Sequence, residues 1–169
     1  MSIQMGQKKR EETRSIVDIL FLFWYTLFTF CDERGFIMAV FRDVDEARAY
    51  FEGDRFAVEN GMRIDALGEG WAECSMTLAP RHRNANGGVM GGAIFTLADF
   101  AFAAASNNRH RPTVGQQVSV NFLSAARGAR LIARAVCKKD GRTSCVYNVD
   151  VRDDTGRDVA QFIGTGFKL

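Results

Sequence analysis

The chain has little of what several catalytic and binding classes require. It holds two histidines, His82 and His110, and four cysteines, Cys31, Cys74, Cys137 and Cys145. No Cys-x-x-Cys pair occurs, and no cysteine and histidine stand at metal-type spacing, so no metal site is expected. Unpaired thiols point instead to a reducing, cytoplasmic setting. A G-x-S-x-G elbow, a phosphate loop and a dinucleotide fingerprint are all absent, which sets aside serine hydrolases of that type, nucleotide hydrolases and dinucleotide enzymes. No cofactor is implied. Net charge is only +2, too small to make nucleic acid or an anionic membrane the main partner. Two prolines, no low-complexity tract and no internal repeat leave an ordinary globular chain. Its 169 residues suffice for one domain with a sizeable core.

What is present begins oddly. A charged start (Lys8, Lys9, Arg10, Glu11, Glu12, Arg14) precedes an aromatic-rich apolar run, whose uninterrupted part is Ile19 to Phe30. These 12 residues fall short of the roughly 20 that span a bilayer. Positive charge before an apolar run resembles a signal-peptide core, yet C-D-E-R-G-F offers no small-residue cleavage site. A surface anchor, a docked helix and translated upstream sequence are the other readings. Met38, followed by A-V-F-R-D-V-D-E, reads as a natural start. The expected division is an atypical extension over 1–37 and the functional domain over 38–169, with a membrane as partner only through the extension.

From there the periodicity is clear. Asp43 or Asp45 caps a helix with Ala47, Tyr50 and Phe51 on one side. It breaks near Gly53, and a further turn ends at Gly61. M-R-I-D-A-L and W-A-E-C-S-M-T-L alternate around a G-E-G turn and predict a hairpin. Four more strand-like runs, Thr113–Leu123, Ala129–Lys138, Thr143–Arg152 and Asp158–Lys168, are separated by turn-rich segments.

Between the two groups of strands lies the stretch that organises the rest. N-A-N-G-G-V-M-G-G, with Gly87, Gly88, Gly91 and Gly92, leads into A-I-F-T-L-A-D-F-A-F-A-A-A. About four helical turns are apolar nearly all round, so the helix is expected to be wrapped by the sheet, an α+β architecture. Only Thr96 and Asp99 interrupt it, and at i, i+3 they share a face. A carboxylate there is costly to bury and calls for a reason. The free N–H groups and positive dipole end at the helix start suit an anion or oxyanion. One small sheet cannot cover its own edges as well, so dimerisation is expected.

The run N-x-x-G-x-x-x-G-G-x-x-F-x-L-A-D-x-A-F-A-x-A resembles the hotdog-fold acyl-CoA thioesterases of the phenylacetate-degradation (PaaI-like) group. D-R-F-A-x-x-x-G-M from Asp54, V-S-V-N-F from Val118 and the D-G-R-T turn from Asp140 add to the likeness, which covers roughly residues 41–169. It implies a curved antiparallel sheet around one long helix, a homodimer or homotetramer, and an acyl-CoA or aryl-acyl-CoA substrate. Carried over, Asp99 is general base or nucleophile, working on a substrate held by the opposite subunit. Asn84 helps orient the water or thioester, and the Gly91 N–H donates to the thioester oxygen beside Gly92. Gln117 is a weaker match near the water. Met90 departs from the pattern, since the family usually has His there; it is expected to line the pocket, because a thioether cannot replace imidazole. That departure keeps a second reading open, a non-catalytic acyl-CoA binder. Turn cations, Arg142 among them, are candidates for the phosphates of coenzyme A. His82 and His110 are expected as solvated loop residues. Acyl-group identity and the choice between dimer and tetramer lie beyond the pattern.

Overall fold

The computed structural model describes residues 39–169, so the expectations for the N-terminal extension lie outside the described residues. Helix α1 (Val44–Phe51) starts at Asp43, whose carboxylate accepts the N–H groups of Asp45 and Glu46. It buries Ala47 and Phe51. A short α2 (Arg55–Glu59) follows and turns out through Gly61 at φ +78°, a left-handed conformation that glycine adopts without steric cost. The hairpin β1 (Met62–Gly68) and β2 (Trp71–Thr77) pairs as the alternation predicts.

Pro80–His82 form a single 3₁₀ turn, and the central helix α3 then runs Gly91–Asn107. At 17 residues it is nearly five turns, longer than the sequence suggested, because Gly91 and Gly92 are its first two residues and not part of the preceding loop. β3 (Thr113–Phe122), β4 (Arg130–Asp140), β5 (Ser144–Asp153) and β6 (Asp158–Lys168) complete one antiparallel sheet in the order β1-β2-β4-β5-β6-β3. This is the hotdog architecture, an α+β fold in which α3 lies against all six strands.

Close approach of helix and sheet follows from small residues on both. Ala98, Ala101 and Ala105 of α3 are buried, as are Ala72 and Cys74 of β2 and Ala133 and Ala135 of β4. On β6 the inward positions Gly164 and Gly166 leave room for the Phe102 ring; a Cβ on Gly164 would stand 3.1 Å from Phe102 Cδ2. Tyr147 stacks edge-on with Phe102, centroids 5.6 Å apart, and its hydroxyl donates to Ala105 O at 3.4 Å.

The helix is not wrapped on every side. Gly92, Phe95, Thr96, Asp99 and Ala103 form a stripe that the described chain leaves partly bare, next to the outermost strand β3. On β3 only Thr113 is buried. No helix among the described residues is long and apolar enough to cross a membrane.

Candidate active site

The site begins with a loop that folds upon one asparagine. Asn84 Oδ1 accepts the N–H groups of Asn86 and Gly88, each at 3.0 Å. Its own N–H donates to Gly88 O at 2.8 Å, and Gly87 N–H returns to Asn84 O at 2.9 Å. Gly87 sits at φ +78°, which closes the turn. The Asn84 side chain therefore shapes the loop through its oxygen, while Nδ2 has no acceptor among the described residues and stands exposed.

The loop delivers the chain to α3 through Met90. Its N–H donates to His82 O at 2.8 Å, and its carbonyl accepts from Ala93 and Ile94. Gly91 and Gly92 come next, and their N–H groups have no acceptor among the described residues. Two free donors at the positive end of a 17-residue helix can hold a developing oxyanion. The Phe122 ring covers this turn: a Cβ on Gly91 would lie 3.1 Å from Phe122 Cζ. Met90 folds its methyl over Gly92 and remains 49% exposed, so it borders the open face of the turn.

Asp99 lies on the bare stripe two turns further along. It borders a cleft of about 370 Å³ with Phe95, Phe102, Ala103, Thr113, Gly115, Gln116, Gln117 and Val118. Its carboxyl makes no hydrogen bond among the described residues. Burial, and next the negative charge of Asp54, push its pKa above the ordinary carboxylate value. That is the shift expected of a base that must take a proton. Gln117 shares this cleft, just past a bulge in β3, with its amide turned to Val118 O at 3.0 Å.

The sequence-derived residues thus fall into two groups. Asn84, Met90, Gly91 and Gly92 gather at the start of α3; Asp99 and Gln117 gather beside β3. Asp99 lies eight positions after Gly91, a rise of about 12 Å along the helix, so within one chain the two groups stand apart. Arg142 is in neither group. It follows β4, and Lys168 N–H donates to Thr143 O while Lys168 pairs with Thr113. That places Arg142 at the opposite end of β3 from Phe122, about 30 Å away.

The expectation of solvated loop histidines fails. His82 is 2% exposed and fully engaged, and His110 is half-buried with its Nδ1 shut off from solvent. Pro80 opens a helical turn, where its missing N–H is harmless, and that turn directs His82 inward. The Phe122 cover and the Asp54 charge carry no local sequence signal, since both are set by long-range packing. Cys74, Cys137 and Cys145 are unpaired.

Comparison with known proteins agrees with this fold. Residues 86–160, from the Asn84 loop into β6, match the thioesterase superfamily. The acyl-coenzyme A thioesterase PaaI of Escherichia coli is 31% identical over 124 residues, which cover 73% of this chain and 89% of that protein. The solved structure of E. coli PaaI, from the phenylacetic acid degradation operon, superposes with a TM-score of 0.69 over 73% of this chain and 90% of that one. A variant of the phenylacetic acid degradation protein PaaI from Thermus thermophilus is 35% identical, with a TM-score of 0.65 over 69% of this chain and all of that one. With the sheet, the helix and the free amides at its start already described, these likenesses fix the family: the chain belongs to the thioesterase superfamily, as a hotdog-fold thioester hydrolase.

Proposed function

We propose that the protein hydrolyses an acyl-CoA or aryl-acyl-CoA thioester as a homodimer, or as a homotetramer built from such dimers, in the cytoplasm, with residues 38–169 as the catalytic domain. The observation that carries the reading is the 12 Å gap (approximately, from the helix rise) between a free Gly91 amide and an unpartnered, proton-seeking Asp99. A second copy closes that gap. β3 is an unpaired edge; antiparallel pairing of two β3 strands about a two-fold axis beside Phe95 brings the partner's Asp99 to Gly91. The same operation carries the partner's Arg142 from the far end of β3 towards Gly91, where a CoA phosphate can meet it. The likeness to the E. coli acyl-coenzyme A thioesterase supports CoA as the thiol.

In this arrangement the thioester oxygen accepts the Gly91 N–H, with the Gly92 N–H and the helix dipole beside it. Asp99 takes a proton from water as the water oxygen attacks the carbonyl carbon; attack by the carboxylate itself is the covalent variant. The C–S bond of the tetrahedral species then breaks, and the CoA sulfur leaves with the proton, giving free acid and CoA. Asn84 Nδ2 and Gln117 orient the water or the ester. Met90, Gly92 and Phe122 line the mouth.

Met90 favours a second reading, a protein that binds CoA esters without turning them over, because an imidazole donor is replaced by a thioether. The deciding experiment measures CoA release from short, medium and aromatic acyl-CoAs by wild type, Asp99→Ala and Met90→His. Turnover by wild type that collapses in Asp99→Ala establishes the hydrolase. Binding without turnover, with activity gained in Met90→His, establishes the binder.

A further inference from the structure

The buried histidine is the group that the functional reading leaves unused. His82 meets three separate segments at once. Its Nδ1 accepts the Ala79 N–H at 3.0 Å, from the chain leaving β2. A backbone N–H can only donate, so the ring proton resides on Nε2, and Nε2–H donates to Asn60 O at 3.0 Å, at the end of α2. The Arg81 guanidinium, 3.3 Å from the same nitrogen, is then a charge neighbour and not a donor to it. Finally, the His82 carbonyl accepts the Met90 N–H at 2.8 Å, directly before Gly91. A residue that is 2% exposed thus ties β2 and α2 to the residue that precedes the free helix amides.

We propose that His82 is a positioning residue: its neutral Nε2–H imidazole, wedged between Ala79 and Asn60, holds the carbonyl that fixes Met90 and so aims the Gly91 N–H at the thioester oxygen. This rests on the reading of Gly91 as the oxyanion donor. A neutral ring is required, because a protonated Nδ1 would point its hydrogen at the Ala79 N–H. The surroundings keep it neutral. Burial lowers the His82 pKa first, the Arg81 charge next, with Arg83 adding to both against the opposing pull of the Asn60 carbonyl. Among the described residues, no carboxylate offsets these effects.

The test uses the full chain, ¹⁵N-labelled, as wild type and as His82→Phe and His82→Asn. In wild type the imidazole should hold the Nε2–H tautomer and titrate below the ordinary histidine value of about 6.5. In His82→Phe, hydrogen exchange at the Met90 amide should quicken about tenfold or more while the α3 core amides around Ala101 keep their protection. Its kcat should fall about tenfold or more with KM little changed, since small displacements of a catalytic donor are costly. A ring that titrates at or above the ordinary value overturns the proposal. So does an unchanged Met90 amide, or a kcat within twofold of wild type. Should His82→Phe lose its core protection too, His82→Asn decides. It keeps an acceptor for Ala79 but cannot reach Asn60, so its Met90 amide should exchange faster; an unchanged amide overturns the proposal. Absence of thioester turnover in wild type would sink the functional reading alone, because the imidazole and amide measurements need no substrate.

Discussion

At the residue scale, the proposal that Asp99 is the base implies that the fold gives up stability to keep it. A half-buried carboxyl facing Asp54 binds its proton more tightly in the folded chain than in the unfolded one. Ionising it therefore costs stability as pH rises from the unfolded pKa through the folded one, and the penalty is complete above that window. Asp99→Asn is expected to raise Tm at neutral pH, with the gain gone below the ordinary Asp value of about 3.9. The same variant should lose about 10²- to 10⁴-fold in kcat, the usual worth of a general base. The pH profile of wild-type kcat/KM should fall on the acid side with a midpoint above that ordinary value. Thermal melts at neutral and acid pH beside one rate profile check all three. That Asp99 needed a reason was legible in the sequence, since a lone carboxylate in an apolar helix announces itself. Its neighbour Asp54 was not, because α2 approaches α3 only in the fold.

At the scale of elements, strands and helices were readable because the inward positions keep strict periods. Cys145, Tyr147, Val149 and Val151 alternate along β5, and α3 is apolar but for Thr96, Asp99 and its last two residues. What periodicity cannot convey is which stretch of an apolar helix stays bare, since Phe95 and Phe100 look alike in sequence. Only the fold separates them: Phe100 packs edge-on against Phe51 of α1, whereas Phe95 lies beside the edge strand β3. Glycine carries two distinct meanings here, and both are testable. Gly164 is spacing for aromatic rings: a Cβ would stand 2.9 Å from Phe162 Cε1. Gly164→Ala should destabilise by about 1–3 kcal/mol, the usual cost of overpacking, as read by urea unfolding. Gly91 instead supplies a donor. It is the first helical residue, where proline is tolerated, and Met90 before it is extended at φ −64°, ψ 131°, as a residue preceding proline must be. Gly91→Pro thus removes one N–H, and its Cβ asks that the Phe122 ring give slightly. Its kcat should drop about 10²–10³-fold with far-ultraviolet circular dichroism and Tm close to wild type. Equal losses of structure and activity would mean that Gly91 serves packing and not the oxyanion.

For the whole molecule, the decisive relation is between two places that one chain keeps apart. Sequence motif and structure both present Gly91 and Asp99, yet the helix between them is rigid, and no side-chain motion spans two turns. On the proposed reading, activity belongs to the pair of chains, and that is open to a direct test by complementation. A chain carrying Asp99→Ala keeps its Gly91 donor, and a chain carrying Gly91→Pro keeps its Asp99. Each variant alone forms dimers in which both sites are crippled. In a mixed dimer, one site combines the intact Gly91 of the first chain with the intact Asp99 of the second, and the other site combines both lesions. Random pairing at equal amounts makes half of the dimers mixed, so about a quarter of all sites are restored. Co-expressing the two variants under different tags, and assaying the doubly captured species, should give about half the wild-type rate per dimer, far above the sum of the parents. If each site were built within one chain, every chain in the mixture would still carry a lesion, and the mixed species would be no more active than its parents.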